Sequence, residues 1–561
     1  MYGPDQIKFL KTQSYLHKDE TMSERIASIV KELAPYDSAY SPGLSERAGQ
    51  LLERGIMGLS TPQLANTGRE EQKGVPEGLP CSCNIISPGN SIREIYTSHA
   101  EVAMLSKHGA GVGSGWDNIV DAGTKLAEGF FSNSVLDWIV GSVHAAQCVS
   151  QGATRRGYNA PYLSIDSPDF DKLMERVDKT SPFSKDPLLK NTYGVILEPG
   201  FNKKVLEDDV LLSRYLEVLE QRRAGGKAYL LHVDNCNRNQ SPVYERLGHT
   251  VRLGNLCTEA LTPSYSDMTF CCMLLSINAT KWDEITDQDI ADMFMVNDIF
   301  VSIYIEKASK IPYLEKAVRS ATNKRDIGVG LLGFHDYLQQ KNCAIGSLKS
   351  RRINREMFKR IREIGEQVTF DLGNRLGSPL LCRMAKMVRR NVSIMMVAPN
   401  MTTSFVYGNT SPGIGPYTSN YYLRKLAGGH FYCKNPHLEK ILEGKGKNTF
   451  KVWDDIAANL GSVQHLDFLT DHQKEVFRTE AEISPKDLID LASDRQEYID
   501  MGQSLNLFNR PSYSIEDVFE IHQYGFEKNI KTYYYFHSPG HAGNTHGRNW
   551  GAWDDCVACA D

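Results

Sequence analysis

The chain has 561 residues, with 63 Lys and Arg against 68 Asp and Glu and a formal net charge of −5. It therefore offers no basic footprint for a nucleic acid and is expected to act on free small molecules. No apolar run approaches the ~18 residues of a membrane span and the first residues lack the shape of a signal peptide, so a cytoplasmic protein with no membrane contact is expected. The 12 cysteines are too sparse for a secreted disulfide scaffold, and in a reducing compartment they read as buried, metal-binding or redox-active thiols.

In chain order, residues 1–58 are rich in helix formers with apolar recurrence, and Ser23 and Ser45 stand where they could cap helices. A Thr-Pro pair at Thr61 follows, which taken alone is more often only a turn. Residues 79–86 form a strand-like run carrying Cys81, Ser82 and Cys83, and 92–104 read as a helix. The stretch 105–113 contains Lys107 and ends in Gly-x-Gly-x-Gly from Gly109. Such glycines are more often tight turns or close packing than phosphate cradles. Residues 147–157, with Gln151, Arg155 and Arg156, form a basic loop whose bland reading is a solvated turn. Beyond position 160, short apolar strands at 193–197, 228–232 and 327–333 alternate with amphipathic helices, which reads as α/β. Periodicity does not choose between an open doubly wound sheet and a barrel. No internal repeat or low-complexity linker marks a second large domain.

The chemistry concentrates around residues 252–260. Asn255, Cys257 and Glu259 alternate there, and an extended backbone would point amide, thiol and carboxylate to one face. Cys271 and Cys272 follow in a second strand-like run. Residues 397–405 hold Asn400, Met401, Thr402 and Thr403. Hydroxyls and free N–H groups at a strand-to-helix turn suit phosphate, although a simple helix cap is commoner. Residues 530–536 contain Tyr533, Tyr534 and Tyr535 in a β-like run, for which composition favours core packing. The Gly-rich end carries Cys556 and Cys559 as Cys-x-x-Cys, suited to thiol–disulfide exchange on a mobile arm. A zinc site with His541 and His546 is the rival reading.

Together these motifs resemble the catalytic large subunit of class I ribonucleotide reductase over most of the chain. The resemblance implies a ten-stranded α/β barrel with a central finger loop (59–537), preceded by a short helical segment (1–58) and followed by a flexible redox tail (538–561). It implies Cys257 as the thiyl-radical cysteine flanked by Asn255 and Glu259, and Cys83 with Cys272 as the redox pair; Cys81 and Cys271 fit that frame less well. Tyr534 and Tyr535 would be the stacked relay, and Cys556 and Cys559 the tail dithiol. Thr61, Ser82, Gly111, Asn255, Glu259, Asn400, Met401, Thr402 and Thr403 would contact the substrate, although Asn400 and Met401 depart from the family's phosphate loop. Asn90, Lys107, Gln151 and Arg155 would serve a nucleotide effector. Asn90 stands where an Asp is common and Ile119 where an Arg is common, so weak effector control is expected.

The resemblance further implies a ribonucleotide substrate, a radical-generating small subunit that holds the metal, thioredoxin or glutaredoxin as reductant, a homodimer, and no cofactor or metal bound by this chain itself. About 80 residues precede Cys83, so the family's N-terminal ATP cone, and with it inactivation by dATP, is expected to be missing. A cobalamin-dependent reductase and a non-enzymatic Cys/His zinc protein are the alternatives.

Overall fold

The computed structural model describes residues 2–69, 78–127, 130–151, 155–178, 188, 191–408, 410–426 and 429–537. The chain opens with helices α1 (Pro4–Thr12), α2 (Met22–Leu33) and α3 (Leu44–Glu53). Thr21 caps α2: its hydroxyl accepts the Glu24 N–H while the Glu24 carboxylate accepts the Thr21 N–H, which satisfies two donors that a helix start leaves open. Ser23 and Ser45 are therefore not caps. Ser23 falls inside the first turn of α2, and α3 starts from Gly43 at φ 71°, leaving the Ser45 hydroxyl to bond Asp37 at 2.7 Å. The apolar faces of α2 and α3, including Ile26, Ile29, Leu33, Ala48 and Leu52, are buried. Two polar anchors tie this segment to the long helix α4 (Asp287–Ala308). Arg47 grips Asp292 with two N–H groups at 2.6 and 2.9 Å, and Tyr40 donates to Asp298 at 2.5 Å.

Next come strands β1 (Met57–Leu59), β2 (Cys83–Ile86), β3 (Gly111–Gly115), β4 (Asn159–Ser164), β5 (Gly194–Leu197) and β6 (Tyr229–His232). β2 to β6 lie side by side in sequence order and are all parallel, as expected when each crossover returns over the same sheet. A hairpin of β7 (Val251–Gly254) and β8 (Leu261–Pro263) interrupts the series. The second half starts with β9 (Phe270–Cys272) and β10 (Leu274–Asn278), one run broken at Met273, and continues with β11 (Gly328–Leu332). β11 is parallel to β10. Residues 394–397 run parallel to β11 through Val329 and Met395, and residues 501–505 run parallel to those through Val397 and Gln503. The Tyr534 N–H then reaches the Leu505 carbonyl at 3.0 Å, which brings in β12 (Thr532–Tyr533).

The ring closes at two antiparallel seams, β9 against β2 and β12 against β6. The result is a ten-stranded α/β barrel made of two parallel halves, as the resemblance implied. β1 lies outside the ring, antiparallel to β10. Alternation sorts the side chains: Cys83 and Ile85 join the cluster inside the barrel, whereas Ile86 joins the layer between sheet and helices.

The β7–β8 hairpin is the finger. Its fit depends on the Gly-x-Gly run of β3, where a Cβ on Gly113 would lie 2.2 Å from the Gly254 carbonyl oxygen and 2.9 Å from the Asn255 Cα. Backbone meets backbone at that point, so no side chain can yield. Gly113→Ala is expected to displace the finger and cost on the order of 1–3 kcal/mol by overpacking. A denaturant titration checks this, and an unchanged midpoint would contradict the close approach.

Candidate active site

The fingertip is a tight turn. Asn255 to Ala260 is not extended, which corrects the expectation that alternation along a strand aligns the three side chains. The Ala260 carbonyl accepts the Asn255 N–H at 3.1 Å, and the Asn255 carbonyl accepts the Thr258 N–H at 3.2 Å. Thr258 sits at φ 65°, a strained position for a β-branched residue, of the kind that persists where the surroundings fix it. Those surroundings include the Thr532 hydroxyl, which donates to the Thr258 carbonyl at 3.0 Å. Within the turn, the Asn255 amide donates to Glu259 Oε1 at 2.9 Å and its oxygen accepts the Ala260 N–H at 3.1 Å. Convergence comes from folding the turn back on itself.

Sγ of Cys83, Sγ of Cys257 and a Glu259 carboxylate oxygen lie within 4.8 Å of one another, all in buried residues. Among the described residues this is the group that could ligate a metal ion. Cys272 stands directly opposite Cys83 in the antiparallel β2–β9 register, and its thiol contacts Met396 Sδ at 3.6 Å. Directly opposed residues at an antiparallel seam have Cα atoms about 4.5–5.5 Å apart, which suits a disulfide. All four thiols of the two runs, Cys81, Cys83, Cys271 and Cys272, are free cysteines here.

Electrostatics follow from dryness. Burial raises the Glu259 carboxyl to about 7, against lowering by hydrogen bonds from Asn255 and Ser504. The hydrogen bond to Cys257 and then burial push the Cys83 thiol well up, and burial does the same to Cys272. A carboxylate with its pKa near neutrality is poised to accept a proton and return it. Raised in the folded protein, this group favours folding below its ordinary pKa of 4.5, and that contribution is lost as pH rises through about 7. Glu259→Gln, which mimics the protonated form, should therefore stabilise the protein at pH 8 by up to roughly 3 kcal/mol and by little below pH 5. Denaturation at the two pH values measures the difference, and equal effects would refute it.

Tyr534 and Tyr535 do not continue a strand. They form the link between β12 and a short bridge in which Phe536–His537 runs parallel to Leu507–Phe508. Their rings are 4.2 Å apart but tilted by 56°, so the pair is in contact without stacking face to face. The Tyr534 hydroxyl donates to Cys257 Sγ at 3.5 Å, and the Tyr535 hydroxyl accepts from Tyr229 at 2.9 Å.

The remaining residues of interest divide by position. Thr61 opens the helix Thr61–Asn66 and is buried. Ser82 Oγ is shielded with no hydrogen-bond partner among the described residues, an open hydroxyl next to the thiols. Gly111 pairs in register with Cys83, and a Cβ there would lie 2.7 Å from Leu256 Cδ2, so it faces the finger. Asn400 is left-handed at φ 55°. Its amide is held by Ser276, Leu331 and Ala398, which makes it a scaffold for the loop. Thr402 and Thr403 are buried at the start of α5 (Met401–Val406), beside the half-buried Met401.

Asn90 lies far along the chain from this cluster and bonds the Val120 N–H at 3.0 Å, Lys107 is exposed, and Ile119 is buried. Gln151 and Arg155 face each other in register across a short hairpin. Cys556, Cys559, His541 and His546 lie outside the described residues.

Three contributors had no role assigned from sequence. Ser504 donates to the Cys257 carbonyl at 2.6 Å and to Glu259 Oε2 at 3.1 Å. The Tyr162 hydroxyl donates to the Asn255 carbonyl at 2.7 Å. Lys531 Nζ bonds the carbonyls of Asn239, Ile499, Asp500 and Met501. Of these, Lys531 falls inside the run 530–536, whereas Tyr162 had no signal beyond an apolar strand.

The ribonucleotide reductase barrel-domain family matches residues 81–211, 171–380 and 378–536. A frog virus 3 protein described as a putative ribonucleoside-diphosphate reductase large subunit is 28% identical over 557 residues, 95% of each chain. The ribonucleoside-diphosphate reductase large subunit of Invertebrate iridescent virus 3 is 30% identical over 602 residues, covering 94% of this chain and 92% of the relative. Among solved structures, the Actinobacillus ureae class Id ribonucleotide reductase alpha subunit aligns with TM-score 0.87 and 32% identity, covering 96% of this chain and 97% of that one.

The barrel is thus that of an enzyme class, and the chain belongs to the ribonucleotide reductase family, as a large subunit of the class I type. This sets aside the non-enzymatic zinc-protein reading. No helix among the described residues is long and apolar enough to cross a membrane.

Proposed function

We propose that this large subunit reduces ribonucleoside diphosphates to 2′-deoxyribonucleotides by thiyl-radical chemistry centred on Cys257. The observation that carries the reading is the contact of the Tyr534 hydroxyl with Cys257 Sγ at 3.5 Å, beside Cys83 and Glu259. An oxidising equivalent from a separate, metal-containing small subunit enters at Tyr535, passes to Tyr534 and takes the hydrogen atom from Cys257. The thiyl radical removes the ribose 3′-hydrogen. Glu259 accepts the 3′-hydroxyl proton while Asn255 orients both carboxylate and sugar. Cys83 and Cys272 together give two electrons and two protons as the 2′-hydroxyl leaves as water, and are left as a disulfide. Burial keeps water away from the radical and strengthens each of these contacts.

Thr61, Ser82, Thr402 and Thr403 offer hydroxyls to substrate, with backbone approach at Gly111 and with Asn400 and Met401 shaping the phosphate loop. Cys556 and Cys559 reduce the internal disulfide and are in turn reduced by thioredoxin or glutaredoxin. Asn90, Lys107, Gln151 and Arg155 would meet a nucleotide effector, weakly. The protein would act in the cytoplasm, as a homodimer.

The test is a reduction assay of the purified chain with its candidate small subunit, a ribonucleoside diphosphate and a dithiol. Formation of deoxynucleotide that requires the small subunit supports the reading. Turnover with adenosylcobalamin and no partner would overturn the class I relay, and no turnover under any condition would overturn the reading entirely.

A further inference from the structure

The reaction set out above leaves Ser504 without a part, although the fold holds it against the fingertip. It stands in residues 501–505, which run beside 394–397: the Ser504 N–H donates to the Val397 carbonyl at 2.9 Å, and the Val397 N–H donates to the Gly502 carbonyl at 3.2 Å. Just after Val397 the chain turns at Asn400 into α5, which carries Thr402 and Thr403. The same stretch also holds the fingertip and the relay. The Gly502 N–H donates to the Glu259 carbonyl at 2.8 Å, and the Leu505 carbonyl accepts from the Tyr534 N–H at 3.0 Å. A Cβ on Gly502 would lie 2.7 Å from the Thr258 carbonyl oxygen, so strand and fingertip meet backbone to backbone.

Between those anchors the Ser504 side chain reaches the reacting groups. Its Oγ is 2.6 Å from the Cys257 carbonyl oxygen and 3.1 Å from Glu259 Oε2, and all three residues are buried. The other carboxylate oxygen, Oε1, accepts from the Asn255 amide at 2.9 Å. No Lys or Arg pairs with Glu259 among the described residues, so one hydrogen bond to each oxygen fixes the plane of the carboxylate. A hydroxyl carries one hydrogen, which it gives to one acceptor at a time, and its oxygen can accept another. While Glu259 is ionised, the charge-assisted bond to Oε2 is the stronger choice. With a proton on Oε2, the carboxyl O–H can donate to Ser504 Oγ while the serine hydrogen turns to the Cys257 carbonyl. Oε2 then keeps a partner in both states.

We propose that Ser504 is a positioning residue for the reaction: its hydroxyl holds the Glu259 carboxylate in line with the 3′-hydroxyl and ties it to the backbone of the radical cysteine. Base and radical then approach the same ribose carbon from fixed directions. The proposal rests on the reading above, in which Glu259 takes the 3′-hydroxyl proton and Cys257 the 3′-hydrogen. No atom of Ser504 is consumed; its effect is geometric, and a displacement of about 1 Å in such a group costs on the order of a hundredfold in rate.

The test uses two variants of the full-length chain with the same outline. Ser504→Thr keeps the hydroxyl, Ser504→Val puts a methyl in its place, and both add the same branch beside a cavity of about 30 Å³ that Ser504 lines with Ala398, Pro399 and Asn506, room for a small group. Each is assayed with the small subunit and a ribonucleoside diphosphate, and nucleotide affinity and denaturation midpoint are measured on the same samples. The expected result is that Ser504→Thr keeps kcat within about threefold of the parent while Ser504→Val loses about tenfold to a hundredfold, with KM and nucleotide affinity unchanged in both. A purely structural serine would move the two variants together. Equal kcat in Ser504→Thr and Ser504→Val, or a loss in Ser504→Val confined to KM, would overturn the proposal. If the branched variants fail to fold, Ser504→Ala, which removes one buried atom, carries the same comparison against the parent, and an undiminished kcat there overturns it. Glu259→Gln is run in parallel: parental turnover in that variant would overturn instead the assignment of the base on which the proposal rests.

Discussion

Cys257→Ser is expected to abolish reduction of every substrate while leaving the protein folded and able to bind nucleotide. The substitution changes one atom at a buried site whose neighbours, Tyr534 at 3.5 Å and the thiol of Cys83, also bond a hydroxyl. The change in stability should stay near the ~1 kcal/mol of a single hydrogen bond. The chemistry does not survive, because a serine O–H bond is too strong for an oxidised tyrosine to break and no thiyl radical forms. A loss greater than about a thousandfold in kcat, more than roughly 4 kcal/mol of barrier, is the expected scale. Steady-state turnover beside nucleotide binding by equilibrium dialysis separates the two effects. Retention of more than trace activity would remove Cys257 from the centre of the reaction.

Tyr534→Phe should be nearly as damaging for a different reason. The ring is fully buried and packs 4.2 Å from Tyr535 and 4.9 Å from Tyr229; phenylalanine keeps all of that packing. What disappears is the O–H that touches Cys257 Sγ, and with it the group able to give up a proton and an electron together. Substrate binding should be unchanged, multiple turnover should stop, and an oxidised species should be trapped upstream. Rapid-quench product analysis with electron paramagnetic resonance on the same sample reads both. Normal turnover would mean that the oxidising equivalent reaches Cys257 by another route.

How much of this was legible in the sequence differs from residue to residue. The thiols, Asn255 and Glu259 stood out because chemistry-bearing side chains were spaced within short apolar runs, and the family resemblance ordered them. The way they converge was not legible. Nothing in Leu-Cys-Thr-Glu announces a turn, and a threonine at φ 65° is a conformation that tertiary contacts impose against local preference. The barrel's last two staves, 394–397 and 501–505, are joined through isolated bridges, too short for any alternation to register. Helix caps were misplaced by two residues at α2 because Thr21 and Ser23 are chemically equivalent candidates, and only Glu24, three residues after Thr21, completes a reciprocal pair.

The opposition of Cys83 and Cys272 has a mechanical side as well. They sit where one parallel half of the barrel is joined to the other, so the disulfide left by each round of reduction would be a rivet driven through the joint and withdrawn before the next. The catalytic cycle would then alternate between a hinged and a locked barrel, and slow hydrogen exchange along β2 and β9 would report which of the two a given sample holds.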